Sequence, residues 1–317
     1  MKKVTSQACS NVALLKYWGR NNDIIRLPAN NSISINLSGL TTTTTLEESS
    51  KDSLTLDGQE QSGKASERVF EFLDLAVGQK RSKVKITSKN SFPASTGLSS
   101  SASGFAALAE ATNGFYDLGL SEKEVSILAR KGSGSASRSI PEGFVCWLTA
   151  DKDEDSYSQT LYKKDYWDLR ILAVVVSENV KAVPTSGGHE TAHSSPYFKA
   201  RMDIIEQREK TILKALEAKD FTKLGVAVER EMLEFHTILM TSFPPMICWY
   251  PETLEIVHRV QSWRSEGLEA YSTINTGHNV FVVTLPEHEE KLTTLLTQLP
   301  ITQKVISNQV GDAAKQL

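Results

Sequence analysis

Cysteine is scarce in this chain, and none of it is spaced for chemistry. Cys9, Cys146 and Cys248 are the three cysteines in 317 residues. They form no CxxC pair and no Cys/His ligand spacing, which excludes a disulfide framework and a thiolate zinc site and implies a reducing compartment. An excess of positive charge is also missing. Lys and Arg number 35 against 38 Asp and Glu, a net charge of −3, so a basic nucleic-acid footprint is excluded. Long apolar runs are absent too. The longest, Ile171 to Val176, falls far short of the roughly 20 residues that span a bilayer. The opening Met1-Lys-Lys-Val-Thr-Ser lacks the apolar segment of a signal peptide. Zinc spacing is missing among His189, His193, His236, His258, His278 and His288. The expectation is a soluble, cytoplasmic protein with one large domain or two, bound to neither membrane nor nucleic acid.

What the chain does have is a run of small residues at Ser91–Leu108, S-F-P-A-S-T-G-L-S-S-S-A-S-G-F-A-A-L. Pro93 to Thr96 reads as a turn. Gly97 and the serines follow, and Ala102 to Leu108 reads as a helix packed closely on its neighbours. A small-residue turn entering a helix leaves backbone N–H groups without partners at the positive end of the helix dipole. Such a place suits an anion. The Ser99, Ser100 and Ser101 hydroxyls add donors for phosphate oxygens or ligands for a cation. The plain alternative is a serine-rich loop that only caps a buried helix. The loop is not a Walker A motif. Nor does Gly132-Ser-Gly134-Ser-Ala-Ser137 complete a dinucleotide fingerprint, because serine replaces the third glycine.

The rest of the chain mixes strands and helices without strict βαβ repeats, which predicts an α+β fold. Strands are expected at Lys3–Cys9, at the alternating end of Leu27–Leu37 (half-buried), at Thr41–Leu46 and at Lys83–Thr87. A hairpin is expected around Asp57-Gly58. Lys64–Val77 carries a helical apolar face, and Ser121 with Glu124 forms a capping box opening a second helix. Leu169–Val176 reads as a buried strand. Pro184–His189 reads as a domain junction or mobile loop. Helices follow at Phe198–Ala218, Phe221–Thr237, Pro251–Glu266 and Glu287–Leu296. Two short strands flank a turn between Ala270 and Val283, and Lys304–Ile306 closes the list of strands. Lys16 beside Tyr17 and Trp18, and Arg138 among serines, each admit a packing reading and an anion-binding one.

Five blocks, in order, resemble the diphosphomevalonate decarboxylases of the GHMP small-molecule kinase superfamily. They are Asn11-Val-Ala-Leu-Leu-Lys16-Tyr17-Trp18-Gly19, Pro28-Ala-Asn-Asn-Ser32-Ile-Ser34, Phe92-Pro93 through Ala107, Gly132-Ser-Gly-Ser135-Ala-Ser-Arg138-Ser139, and His236-Thr237 with Thr241-Ser-Phe-Pro-Pro245. The resemblance implies an N-terminal domain of the ribosomal-S5 type over residues 1–180, a ferredoxin-like C-terminal domain over 181–317, a site in the cleft between them, and a homodimer. It also implies a two-step reaction. ATP phosphorylates the 3-hydroxyl of 5-diphosphomevalonate, then phosphate and CO2 leave to give isopentenyl diphosphate. By the same resemblance Ser95, Gly97, Ser99, Ser100 and Ser101 hold ATP, with Ser101 on Mg2+. Arg138 clamps the substrate carboxylate, and Lys16 and Tyr17 meet the reacting end. Ser133, Ser135, Thr185 and Ser186 hold substrate phosphates.

Three positions depart from the family pattern. Asn275 stands where the family has a catalytic Asp, with the shape of Asp but without its charge or basicity. Glu142 stands in place of Gly and adds a carboxylate expected near Arg138. His278 replaces Pro in the turn after Asn275. Besides the diphosphate reaction, these leave open a 5-monophosphate substrate, a half-reaction enzyme that only phosphorylates, an ATP-independent decarboxylase of a 3-phosphorylated substrate, and a non-catalytic binder of nucleotide or isoprenoid precursors.

Overall fold

The computed structural model describes residues 2–94, 96–179 and 185–317, with only the backbone described for Thr185 and Ser186. In chain order the elements are β1 (Lys3–Leu15), β2 (Arg20–Asn22), β3 (Leu27–Pro28), β4 (Ser32–Glu48), β5 (Ser53–Leu56), β6 (Gln59–Gln61), α1 (Lys64–Val77), β7 (Val84–Asn90), α2 (Ser100–Phe115), α3 (Glu122–Gly132), β8 (Phe144–Trp147), β9 (Ser158–Tyr162) and β10 (Arg170–Val175). They continue with α4 (Thr185–Thr191), α5 (Phe198–Glu217), α6 (Phe221–Thr241), α7 (Pro251–Ser265), β11 (Ala270–Thr273), β12 (Val280–Thr284), α8 (Pro286–Gln298), β13 (Lys304–Asn308) and β14 (Lys315–Gln316). A short 3₁₀ segment, Gly134–Ser139, follows α3.

Local chemistry explains many of these elements. Asp57 and Gly58 both take positive φ, 50° and 83°, as the tight turn between β5 and β6 requires. Ser121 accepts from the Glu124 backbone while Glu124 returns the bond to Ser121, so the capping box opens α3 as expected.

The first sheet has eight strands. Its central pair is β1 and β4, antiparallel along nearly their whole length. At its far end β4 pairs β7, and at its near end β8. The alternation at Ser32–Leu37 predicted a half-buried strand, whereas all six residues are buried. Both faces are covered, and the polar members find partners inside. Ser32 Oγ donates to the Leu15 carbonyl at 2.6 Å and Asn36 to the Pro141 carbonyl at 2.6 Å. One apolar cluster (Leu46, Ile86, Phe105, Ala106, Leu128) joins this sheet to α2 and α3.

The second sheet runs β11-β12-β10-β13, all antiparallel. Numbered by sequence, that order is second-third-first-fourth, with helices in the first and last connections. This is the ferredoxin-like arrangement, with α4–α7 all carried in the first connection. Strand β10, which precedes residue 180, belongs to this second sheet, bonded to β12 and β13. The tail departs from a simple division as well. Val310 bridges Leu37, and β14 pairs β1, returning the last residues to the first sheet. A shared apolar cluster (Val12, Leu14, Ile33, Ile35 with Ile171, Ala173, Leu216, Phe281) fuses the two halves. Of the Pro184–His189 stretch expected to be junction or loop, Thr185 to His189 are helical, within Thr185–Thr191; Pro184 lies outside the described residues. No helix among the described residues is long and apolar enough to cross a membrane.

Candidate active site

Where the end of β1 meets the start of α2, a cavity of about 270 Å³ opens between the two halves. Its floor is the chain just past β1. Lys16 is 2% exposed there, because β1 carries it into the shared core. Its ammonium donates to the Ala13 carbonyl and Thr273 Oγ1, both at 2.7 Å. Burial, opposed by Glu231 and reinforced by Arg138 and Arg201, pushes the amine down to about 7. Tyr17 accepts a 2.7 Å bond from Arg20 Nε and stacks on His189 at 4.2 Å between ring centroids.

The serine loop forms one wall. Ser99 takes φ 61°, a left-handed conformation that is costly for a residue with a Cβ, and it sits immediately before α2. Gly97 explains why no side chain is tolerated two residues earlier. A Cβ there would come within 2.7 Å of the Gly277 Cα, and one on Gly277 within 2.4 Å of the Gly97 Cα. The two glycines let the serine loop and the turn after β11 touch backbone to backbone. Asn279 locks that contact, donating to the Thr96 carbonyl at 3.0 Å and accepting from the Val176 N–H at 2.8 Å. The register puts Asn275 into the cavity. Its amide donates to Ser99 Oγ at 2.9 Å, and its Oδ1 accepts from the Ala13 N–H at 3.3 Å and faces Lys16 Nζ at 3.4 Å.

Opposite lies the 3₁₀ segment with Arg138. It is buried, donating from one terminal nitrogen to Ser32 Oγ at 2.9 Å and from the other to Asn11 Oδ1 at 3.0 Å. Among the described residues its Nε has no hydrogen-bond partner. Two of five guanidinium N–H groups are engaged by described residues. Burial holds this guanidinium down at about 10, still charged near neutral pH. Ser133 and Ser135 line the same wall, with Ser133 Oγ 3.5 Å from Ser101 Oγ.

The sequence-expected residues Lys16, Tyr17, Gly97, Ser99, Ser100, Ser101, Ser133, Ser135, Arg138 and Asn275 all line this one cavity. Ser95 lies outside the described residues, as do the side chains of Thr185 and Ser186. Glu142 is not among the lining residues. Burial, and then Glu142, raise the Glu122 carboxyl. His278 is buried, bonding the Ser177 carbonyl at 2.9 Å through Nε2 and stacking on Tyr250 at 4.5 Å. It shapes the turn and does not line the cavity.

Three lining arginines were not singled out from sequence as site residues: Arg20, Arg26 and Arg68. With Lys16 and Arg138 they make five cations, and the described lining contains no Asp or Glu. Arg20 pairs with Asp23 at 3.1 Å. Arg26 donates to the Lys131 carbonyl at 3.0 Å and Arg68 to the Gly132 carbonyl at 2.6 Å. Burial, then Arg26 and Arg20, lowers Arg68 to about 10. Five cations facing a cavity whose described lining holds no carboxylate suit a strongly anionic ligand.

Family models cover both halves. Residues 8–158 match the diphosphomevalonate decarboxylase-like N-terminal domain, and residues 171–316 match the mevalonate 5-diphosphate decarboxylase C-terminal domain. The chain belongs to the diphosphomevalonate decarboxylase family. It is 33% identical to the diphosphomevalonate decarboxylase of Candida albicans (90% of this chain, 85% of that one) and 34% identical to that of Saccharomyces cerevisiae (91% and 79%). Among solved structures, the mevalonate diphosphate decarboxylase of Staphylococcus aureus superposes with TM-score 0.92 at 32% identity, over 100% of this chain and 98% of that one. A decarboxylase structure in complex with MVAPP, AMPPCP and magnesium superposes with TM-score 0.93 at 32% identity, over 99% and 98%. The expected α+β, two-part fold of this family is the fold found.

Proposed function

We propose that this chain uses ATP to phosphorylate the 3-hydroxyl of 5-diphosphomevalonate and then releases phosphate and CO2 to leave isopentenyl diphosphate. The observation that carries this reading is the single cavity with a serine-loop helix start on one wall, Arg138 on the other, and five cations with no lining carboxylate. A substrate carrying a carboxylate and a diphosphate, met by a nucleotide triphosphate, matches that field.

The residues divide the work by position. Gly97 lets the loop approach closely, and Ser99, Ser100 and Ser101 face the nucleotide phosphates at the N-terminus of α2. Mg2+ would be held here mainly by the phosphates, since among the described residues no group of three or more His, Cys, Asp or Glu could hold a metal. The Ser101 hydroxyl and phosphate oxygens would supply its oxygen ligands. The ion, when bound, offsets phosphate charge. Arg138 uses its remaining N–H groups on the substrate carboxylate, and Lys16, Tyr17 and Asn275 surround the 3-hydroxyl. Arg20, Arg26 and Arg68, with Ser133 and Ser135, hold the 5-diphosphate; Thr185 and Ser186 belong with them by family position. Positioning and fixed charge supply most of the rate. A tertiary hydroxyl leaves poorly and its phosphate ester leaves well. As the C3–O bond breaks, the carboxylate gives up CO2 and its electron pair forms the double bond.

Asn275 favours a second reading, a half-reaction enzyme that phosphorylates the 3-hydroxyl and decarboxylates slowly. The test is product analysis on 3-hydroxy acids bearing a 5-diphosphate, a 5-monophosphate or a free 5-hydroxyl, with and without ATP. The first reading expects CO2 and ADP together on the diphosphate only. ADP without CO2 selects the half-reaction. CO2 without ATP from a 3-phosphorylated acid contradicts both. We further assign the chain to the cytoplasm, consistent with three free buried thiols, and to a homodimer, as the family resemblance implies.

A further inference from the structure

Ser99 immediately precedes α2, where a serine ordinarily caps a helix by accepting from its first backbone N–H groups. It makes no such bond. Its backbone is left-handed, at φ 61° and ψ 34°, a conformation that is costly with a Cβ and that glycine adopts freely. The side chain so placed lines the cavity and meets Asn275 Nδ2 at 2.9 Å. Among the described residues its oxygen takes part in no other hydrogen bond. Neither the backbone nor the helix end gains from the hydroxyl, so its use lies in the cavity.

The direction of the Asn275 bond follows from its neighbours. Oδ1 faces two donors, the Ala13 N–H at 3.3 Å and the Lys16 ammonium at 3.4 Å. Nδ2 faces the Asn11 carbonyl at 3.3 Å and Ser99 Oγ at 2.9 Å. Three of these four cannot exchange roles, because a backbone N–H and an ammonium only donate and a carbonyl only accepts. The ammonium is itself held by the Ala13 carbonyl and Thr273 Oγ1, both at 2.7 Å. Turning the amide over would set N–H against N–H and oxygen against oxygen. The 2.9 Å bond therefore runs from Asn275 to Ser99. Both acceptor positions of Oδ1 and both N–H groups of Nδ2 are then used, and Asn275 keeps nothing for the substrate's 3-hydroxyl. Ser99 receives an N–H on its oxygen and turns its own hydrogen to the cavity. The donors run one way, from Lys16 to Asn275 to Ser99 to the ligand, and each bond polarises the next.

We propose that the Ser99 hydroxyl is a catalytic donor to the phosphoryl group as it passes from the nucleotide to the 3-hydroxyl, and that Asn275 is the positioning residue that aims it. This role rests on the function given above. It gives Asn275 a task in the first step that a carboxylate cannot perform, since an aspartate has no N–H and would take the Ser99 hydrogen for itself. The step balances. A lone pair of the 3-oxygen forms the bond to the terminal phosphorus, the old P–O bond breaks with its pair on ADP, and the hydroxyl proton passes to an oxygen of the transferred group. Ser99 gives up no proton. Its hydrogen bond is aimed at the equatorial oxygens, over which the charge of the group in flight is spread, and a fixed donor there adds to the rate.

Three measurements test this together: single-turnover ADP formation from ATP and 5-diphosphomevalonate, ATP binding by calorimetry, and the thermal melt. They are made on Ser99→Ala and Ser99→Gly, each alone and with Asn275→Asp. Both serine variants should slow ADP formation by on the order of a hundredfold, while ATP binding weakens by no more than about threefold, because the donor acts in the transition state. Ser99→Gly should keep its melt, since glycine relieves the left-handed backbone as the Asn275 bond is lost. With Asn275→Asp present, Ser99→Ala should slow ADP formation by less than about threefold, the coupling expected of two residues that act as one. An unchanged rate in both serine variants, or a rate that falls only as far as ATP binding falls, overturns the donor role and leaves the function standing. Equal losses with and without Asn275→Asp overturn the aiming by Asn275. A Ser99→Gly chain that melts far below the unaltered one makes the hydroxyl structural and overturns its catalytic role. An unaltered chain that forms no ADP with any 5-phosphorylated acid overturns the function, and the Ser99 role with it.

Discussion

Asn275 and Ser99 meet across 2.9 Å, with the amide of the first donating to the hydroxyl oxygen of the second. The direction of that bond has a consequence. An amide N–H occupies a Ser99 lone pair and leaves the hydroxyl hydrogen free to face an anion in the cavity. The loop is therefore a set of donors toward phosphate, and Ser100 and Ser101 extend it.

Ser101→Ala and Ser100→Ala should weaken ATP binding in calorimetry while leaving the thermal melt nearly unchanged. Ser101 is exposed, and its described contact is the long one to Ser133, so the fold loses little with it. Variants that bind ATP normally and melt early would reduce the loop to a helix cap.

Arg138→Lys should reduce turnover by on the order of a hundredfold or more, comparable to losing one preorganised charge-stabilising donor. Lysine keeps the charge but loses the planar fork that reaches Ser32, Asn11 and a carboxylate together. Steady-state kinetics with the diphosphate substrate decide it. Unchanged kinetics would return Arg138 to a packing role.

Arg68→Gln should weaken binding of inorganic pyrophosphate, used as a probe, by about tenfold, as expected for losing one charged hydrogen bond. The loss should shrink as salt rises, because the effect is partly Coulombic. Calorimetry at two ionic strengths reads both. Equal binding by the two proteins would place the diphosphate elsewhere in the cavity.

Stability should respond to pH in two separate windows. Lys16 is lowered from 10.5 to about 7, so the unfolded chain binds its proton first. The cost to the fold grows as pH falls from about 10 to about 7 and is constant below. Lys16→Met should therefore gain stability over the unaltered chain across that window, by at most roughly 1.4 kcal/mol per pH unit. His236 is lowered from 6.5 to about 3. The fold loses stability through this group as pH falls from about 6.5 to about 3, and His236→Leu should flatten that part of the curve. Denaturant melts at stepped pH give the slopes; parallel curves for the variants and the unaltered chain would contradict both assignments.

How much of this was legible beforehand depends on the range of the signal. The Ser121–Glu124 box and the Asp57-Gly58 turn act within four residues, and both appear where the sequence puts them. Helix α1 matches because its apolar face is periodic. Strand β4 was read as two pieces, the first half-buried, because Ser32, Ser34 and Asn36 alternate with apolar residues. In the fold both faces of that strand are covered, and position in the sheet outweighs local polarity. Arg26 and Arg68 belong to no motif. They meet only because the turn between β2 and β3, α1 and α3 fold around the cavity, and a lone arginine carries no local mark of such a partner. The pairing of Gly97 with Gly277 was equally hidden, since each glycine alone reads as an ordinary turn.

The central claim is an ATP-dependent decarboxylation in which Asn275 limits the second step more than the first. Phosphoryl transfer through a loose transition state leans on positioning, which this cavity supplies. Positive charge growing at C3 is left without the carboxylate that would favour it. The direct measurement is CO2 release alongside ADP release on 5-diphosphomevalonate, for the unaltered chain and for Asn275→Asp. The account predicts slow, ATP-dependent release of both products from the unaltered chain. It also predicts a rise in CO2 release of about tenfold or more in the variant, equal to at least ~1.4 kcal/mol of barrier. Rapid CO2 release by the unaltered chain with no gain in the variant, or CO2 release that needs no ATP, would contradict it.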